Sequence, residues 1–418
     1  MIAALKALTP SDIETYFFDD RIENIDYSID VDIVAITVET YTAARAYQIA
    51  SKYRHRKIPV VMGGYHATAV PEETAEYADC VVVGNAESVW KRVLEDFQGG
   101  RLQRRYNGER DAIPVMPDRS VYGTKNYLPL SLIETGRGCP NHCEFCAITC
   151  FYNANYISRP VTEIVAEIRQ SKNKFVFFID DNLAANRDHL LSLCMAIMPL
   201  KIKWISQVSL NVAKDDELLL AMKKSGCQVV LIGFESLDQK NLDQMNKSWN
   251  YKLGERDELV RRIHRAGIGI YATFVFGFDA DTTKIFEDTI KFAMKHKFFF
   301  AAFNHLLPFP GTPLYERLGK SSRLLYDKWW LKGGYKYGDI PFRPLKIPHE
   351  TLKELCVSAR RQFFRPLNVF RRGMASIWRN PNFMINLIFF SQNRALREEV
   401  ERKLNLPLAV GLDTNGAK

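Results

Sequence analysis

The chain has no run approaching the roughly 18 consecutive uncharged apolar residues that a membrane-spanning helix needs. It has little cysteine: eight residues in 418 are too few for a disulfide framework. Its first residues, MIAALKALTPSDIETYFFDD, lack the basic flank and long apolar core of a signal peptide. A reducing, cytoplasmic setting is therefore expected, where thiols stay free for metal or redox work. One long stretch lacks acid altogether. Between Leu355 and Arg397 there is no Asp or Glu, while Arg360, Arg361, Arg365, Arg371, Arg372 and Arg379 accumulate. Phe363, Phe364, Phe370, Trp378, Phe383, Phe389 and Phe390 are interleaved with them. Two readings stay open for residues 360–395. The segment lies on a membrane surface against anionic lipid, or it packs its aromatics on the main body with its arginines in water. The net charge of +9 suits an acidic partner. No nucleic-acid partner is expected.

What is present is a long alternation of strands and helices, in a chain of 418 residues that calls for two or three domains. DIVAITV (32–38), IPVVMGG (58–64) and CVVVGNAE (80–87) are apolar strands, and helices separate them. The pattern predicts a parallel, flavodoxin/Rossmann-like sheet over residues 1–105. Gly63, Gly64 and Gly84 follow its strands, where such sheets bind ligands. Glycine there lets a ligand approach the backbone closely, or is ordinary turn chemistry. Residues 106–130, rich in Pro, Gly and Asp, read as a linker. Six further strand–helix units fill residues 131–320 and predict a partial, TIM-like (β/α)6 barrel. Polar residues recur at its strand ends: Asp180, Asp181, Ser209, Glu235, Asp279 and His305. Residues 321–418 read as a mainly helical C-terminal region.

Half of the cysteines lie in TGRGCPNHCEFCAITC, residues 135–150. Cys139, Cys143 and Cys146 have the spacing C-x3-C-x2-C, and Cys150 follows. Structural zinc takes two ligand pairs about a dozen residues apart, but the next cysteines, Cys194 and Cys227, are isolated. Clustered thiolates suit an iron–sulfur cluster. With Cys150 as a fourth ligand the cluster would only pass electrons. Without it, one iron stays open for a small molecule, the distinction that separates closed from open metal sites.

The C-x3-C-x2-C run, with Phe145 before its last cysteine and a barrel strand ahead of it, resembles the radical S-adenosylmethionine (radical SAM) enzymes. The first domain resembles the cobalamin-binding domain of one branch of that family. The resemblance covers roughly residues 15–320 and rests on AITVET, VMGGYHAT, VVVGNAES, TGRGCPNHCEFCAI, FFIDDN, IGFESLD, FVFGFDADT and FNHLLPFPGTPLY. It implies that Cys139, Cys143 and Cys146 hold a [4Fe–4S] cluster whose fourth iron is chelated by SAM. Reductive cleavage would then give methionine and a 5′-deoxyadenosyl radical, with Cys150 a bystander. Phe145, Asp180, Asp181, Ser209, Glu235 and Phe274 are the expected SAM contacts, Phe274 packing on adenine. Thr37, Gly63, Gly64, His66 and Gly84 are the candidate cobalamin contacts.

The chain departs from the branch in two respects. The Asp-x-His-x-x-Gly motif that supplies a cobalt ligand is absent, and Met1 falls where the first helix is expected, so the first domain reads either as abbreviated or as the later part of a longer chain. The leading expectation is cobalamin-dependent C-methylation of a hydrophobic small molecule such as a lipid, isoprenoid or tetrapyrrole. The cluster would be reduced by a donor such as flavodoxin or ferredoxin. The alternatives are radical cyclisation, coupling or oxidation without methyl transfer, and a non-catalytic iron–sulfur carrier.

Overall fold

A computed structural model describes residues 1–408 except Thr124 and Lys172. The last residues of the expected C-terminal region, 409–418, therefore lie outside the described residues. The N-terminal sheet is parallel and contains β1 (Val34–Thr37), β2 (Val60–Gly63), β3 (Cys80–Val83) and β4 (Arg105–Asn107), in that order. The first three are the apolar runs read from the sequence. The fourth is an addition: RYN carries one buried residue, Tyr106, and so has no apolar run to announce it. It draws the start of the expected linker into the sheet. Helices begin where local chemistry favours them. Pro71 opens Pro71–Tyr77, with Glu72 and Glu73 in the first turn.

The larger body follows the six-unit pattern. Its sheet is parallel throughout, ordered β12-β11-β10-β9-β8-β5. The strands are β5 (Ser131–Ile133), β8 (Phe175–Phe178), β9 (Lys203–Gln207), β10 (Cys227–Glu235), β11 (Gly269–Phe276) and β12 (Phe300–His305). The sequence SLIETG does not continue as one strand into the cysteine loop. It stops at Ile133, and β6 (Gly136–Gly138) pairs antiparallel with β7 (Tyr156–Ser158). The cysteine loop is thus an excursion held at both ends by one small ladder.

Residue parity fixes what faces where. Along β11, Ile270, Ala272, Phe274 and Phe276 are buried, while Tyr271, Thr273 and Val275 are not fully so. The buried set joins Phe234, Phe286, Phe298 and Phe303 beneath the surrounding helices. The other set faces the concave side of the partial barrel.

The segment after the barrel does not form a separate body. Trp329, Trp330 and Tyr335 are buried with Val38, Tyr47, Val60 and Met62 of the first domain. Trp330 Nε1–H donates to Glu73 Oε1 at 2.9 Å, and Trp329 Nε1–H to the Pro308 carbonyl at 2.9 Å. Three helices follow, His349–Phe363, Pro366–Arg379 and Phe383–Leu404. Ile385 and Phe389 of the last pack against Val229 and Phe299 at the N-terminal ends of the barrel strands.

Candidate active site

The cysteine loop stands at the carboxyl ends of the barrel strands and is anchored from several sides. Gly138, with φ +84°, faces the Asn155 carbonyl so closely that no Cβ fits. Its N–H donates to Asp181 Oδ2 at 2.8 Å. The Glu144 N–H donates to the Met245 carbonyl at 3.0 Å, and the Glu144 carboxylate accepts from Arg317 Nε at 2.5 Å. Cys146 caps the helix Ala147–Tyr152, which carries Cys150 one turn away.

Cys139, Cys143 and Cys146 form one electrostatic group. Burial pushes the Cys143 thiol up to about 12, and Cys146 and Cys139 add to the rise while the Lys247 ammonium opposes it. Burial and Cys146 likewise raise Cys139, against the Asn182 amide, whose Nδ2–H points at Cys139 Sγ from 3.8 Å. Among the described residues no three His, Cys, Asp or Glu side chains converge on a point that would hold a single ion. A multi-iron cluster asks something different: thiolates at separate corners.

Beside the thiols lies a buried pair. Lys247 Nζ donates to Glu235 Oε1 at 2.8 Å. Burial works against the ammonium, but Glu235, Cys143 and Cys146 hold its pKa above the ordinary lysine value. The backbone sets this up. Glu235 has φ +59°, and the β10–β11 register slips between Gly233 and Glu235. Gly233 makes room, because a Cβ there would collide with the Glu235 carboxylate. Gly233 pairs with Thr273, which pairs with Ala302, so the concave face beside the ion pair is lined by small residues. One layer down, Tyr271 pairs with Phe300 and closes it with aromatic rings.

The expected SAM contacts divide. Asp181 is tied to the cysteine loop, Glu235 lies over the concave face, and the Ser209 N–H donates to Asn182 Oδ1 at 3.1 Å. Phe145 meets Phe278 edge-on at 6.4 Å. Asp180 is consumed internally. It accepts from Thr135 Oγ1 at 2.7 Å and Thr135 N at 3.1 Å, and burial raises its carboxyl to about 7. Phe274 is a correction to the sequence reading. It points away from the concave face and stacks on Phe234 and Phe303, each at 5.7 Å, so it has no open side for adenine. Strand parity decides this, and Thr273 and Val275 take the positions Phe274 was expected to hold. Asn182, Thr135 and Lys247 were missed. The run FFIDDN could have pointed to Asn182, but nothing local marks Lys247.

The carboxyl end of the first sheet faces this same loop. Glu87 Oε1 accepts from Arg137 Nη1 at 2.8 Å, Tyr65 Oη donates to the Pro310 carbonyl at 3.2 Å, and Arg110 Nη1 donates to Asn153 Oδ1 at 2.6 Å.

Comparison with known proteins agrees with this two-part plan. Residues 133–293 match the Radical SAM superfamily model, and residues 7–94 match the B12 binding domain model. The chain is 30% identical to the bacteriochlorophyllide d C-12(1)-methyltransferase of Chlorobaculum tepidum, over 85% of this chain and 80% of that one. It belongs to the B12-binding branch of the radical SAM superfamily. The bacteriochlorophyllide d C-8(2)-methyltransferase of the same organism is 29% identical, over 93% of this chain and 89% of that one. Among solved structures, the radical SAM methyltransferase TsrM from Kitasatospora setae, with cobalamin and a [4Fe–4S] cluster bound, superposes with a TM-score of 0.60. It is 16% identical, over 88% of this chain and 89% of that one, a likeness of fold.

As a radical SAM enzyme the chain uses a [4Fe–4S] cluster and SAM, and the B12-binding domain supports cobalamin as a further cofactor. The cluster suits the residues present: three thiols on one short loop, with the Asn182 amide and the Lys247 ammonium beside them. The expected corrinoid contacts fit less well. His66 is fully enclosed, with Nδ1 at 3.2 Å from Thr40 Oγ1 and Nε2 at 3.2 Å from Glu73 Oε1. Glu73 is held at about 2: burial pushes it up, but donors from His66, Trp330, Lys328 and Tyr47 outweigh it. His66 therefore belongs to the packing of the first domain and presents no nitrogen to a ligand. Gly64 (φ +105°) and Gly84 (φ +82°) are explained by their own chain. A Cβ at Gly64 would lie 3.0 Å from the Val38 carbonyl, and one at Gly84 2.5 Å from that of Gly108. Gly63 ends β2 beside Val82, and Thr37, exposed, ends β1 with Oγ1 3.0 Å from Met1 Sδ. Thr37 and Gly63, at the ends of their strands, are the members of the expected set that are not buried.

Proposed function

We propose that this enzyme transfers a methyl group from SAM to an unactivated carbon of a hydrophobic ring-based substrate. The observation that carries the reading is the match, along most of both chains, to two methyltransferases that act on bacteriochlorophyllide d. Cys139, Cys143 and Cys146 would hold the cluster. With SAM bound, the cluster supplies reductive C–S cleavage, the chemistry that opens an inert C–H bond. The chain's own residues supply position and exclusion. Asp181 fixes the loop ahead of Cys139. Lys247 places a cation where the thiolates need charge balance, and it suits the carboxylate of an amino acid. Glu235 and Ser209 are the proposed contacts to the rest of SAM. The small-residue layer of Gly233, Thr273 and Ala302 leaves space for two reactants, and the Tyr271–Phe300 layer below keeps water out. The proposed reductant is a flavodoxin or ferredoxin, and the proposed setting is cytoplasmic.

The test is anaerobic reconstitution with iron, sulfide and hydroxocobalamin, followed by turnover with methyl-deuterated SAM and a chlorophyllide. A mass increase of one labelled methyl group in the pigment, with S-adenosylhomocysteine formed, is expected. Formation of 5′-deoxyadenosine with an altered but unlabelled pigment would replace methylation by cyclisation or oxidation.

A further inference from the structure

The helices Pro366–Arg379 and Phe383–Leu404 form an antiparallel pair with two unlike faces. The inner face is fixed to the barrel. Phe389 is fully buried, and Arg372, also buried, donates to the carbonyls of Phe298, Phe299 and Phe363 and to Asn393 Oδ1. The outer face carries Leu367, Phe370, Met374, Ile377 and Trp378 on the first helix. Their spacing of three, four, three and one is a single helical stripe. The second helix adds Phe383, Met384, Leu387 and Phe390. The two stripes are contiguous because Gly373 has no side chain and the Phe390 ring lies directly over it. Trp378 and Phe383 flank the turn between the helices and are 86% and 79% exposed.

A patch of nine large apolar side chains exceeds what scattered surface hydrophobics explain. Its surroundings identify what covers it. Arg365, at the start of the first helix, and Arg371, within it, are exposed, and no carboxylate occurs from residue 356 to 397. A protein partner would meet an apolar patch whose own stretch of chain, as far as Arg397, carries basic and no acidic side chains. An anionic bilayer offers both matching halves: acyl chains for Phe, Leu and Trp, phosphates for the arginines. No helix among the described residues is long and apolar enough to cross a membrane, so this geometry is one of lying in the interface. We infer that the outer face of this helical hairpin docks the enzyme on an anionic lipid surface, with Trp378 and Phe383 inserted deepest. The inference is independent of the reaction proposed above, because it needs neither cluster nor turnover.

The test is flotation of the purified full chain with vesicles of equal parts phosphatidylglycerol and phosphatidylcholine, and with phosphatidylcholine alone. Flotation with the anionic vesicles, weaker with the neutral ones, is expected. Trp378→Glu with Phe383→Glu should lower partitioning by roughly tenfold or more. Both sites are exposed, and an unchanged melting temperature would confirm that the variant is folded. Acyl-brominated lipid should quench tryptophan emission in the wild type but not in Trp378→Phe, which still floats. Absence of flotation by the wild type overturns the inference. So does a concentration-dependent dimer abolished by the double substitution without any vesicle binding, which would assign the face to a second copy.

Discussion

At the scale of single residues, the chemistry separates three cysteines from five. Replacing Cys139, Cys143 or Cys146 by Ala is expected to abolish the visible absorption of the reconstituted cluster and all SAM cleavage. Cys150→Ala should keep both, because Cys150 lies within the helix that Cys146 caps, outside the C-x3-C-x2-C run. The Lys247–Glu235 pair makes a second prediction. Lys247→Met strands a buried carboxylate and should cost about 3–5 kcal/mol in chemical denaturation. The double variant with Glu235→Gln should recover much of that, since no lone charge remains. Asp180 gives a third. Its carboxyl is raised from 3.8 to about 7 in the folded chain, so the fold binds that proton more tightly than the unfolded state does. Its contribution is complete below about pH 4 and is lost as pH rises toward 7. Asp180→Asn should flatten that part of the melting-temperature profile.

These residues also show what the sequence could and could not reveal. The cysteines were legible because their spacing is itself the chemistry. Lys247 was not. It stands 12 residues beyond Glu235, in a polar stretch indistinguishable from solvated surface, and a slipped register brings the two together. Phe274 was misread for a related reason: its strand was correctly placed, but parity within that strand was not resolved.

At the scale of elements, apolar runs and helix-opening residues were enough to place most strands and helices, and the parallel order followed from their alternation. What stayed hidden were pieces too short to carry a pattern. RYN joins the first sheet with one buried side chain, and SLIETG breaks into two strands serving different sheets. The C-terminal helices were legible as aromatic and basic, but not in their division of labour, which follows from contacts with Val229 and Phe299 far away in sequence. Gly373 is the sharpest test of that arrangement. Gly373→Leu would drive a side chain into the Phe390 ring. A loss of about 1–3 kcal/mol is expected, together with faster amide exchange confined to 366–404.

At the scale of the molecule, the two carboxyl-end faces meet at the cysteine loop, where Glu87–Arg137 and Arg110–Asn153 are among the polar contacts that fasten them. Glu87→Ala would leave Arg137 with Glu134 alone, against which it already lies at 2.7 Å. The fold should survive, and limited proteolysis within 108–130 should become faster. The first domain is also joined to the rest of the chain by the return of Trp329 and Trp330 to it. That return has a consequence for synthesis. The ribosome makes the first sheet early, yet the indoles that cover it emerge more than two hundred residues later, one of them ending 257 positions beyond the Glu73 it bonds. Until then Tyr47, Met62 and Val38 have no complete cover. On the growing chain that face of the first domain therefore gains its indole cover only after the barrel has been made.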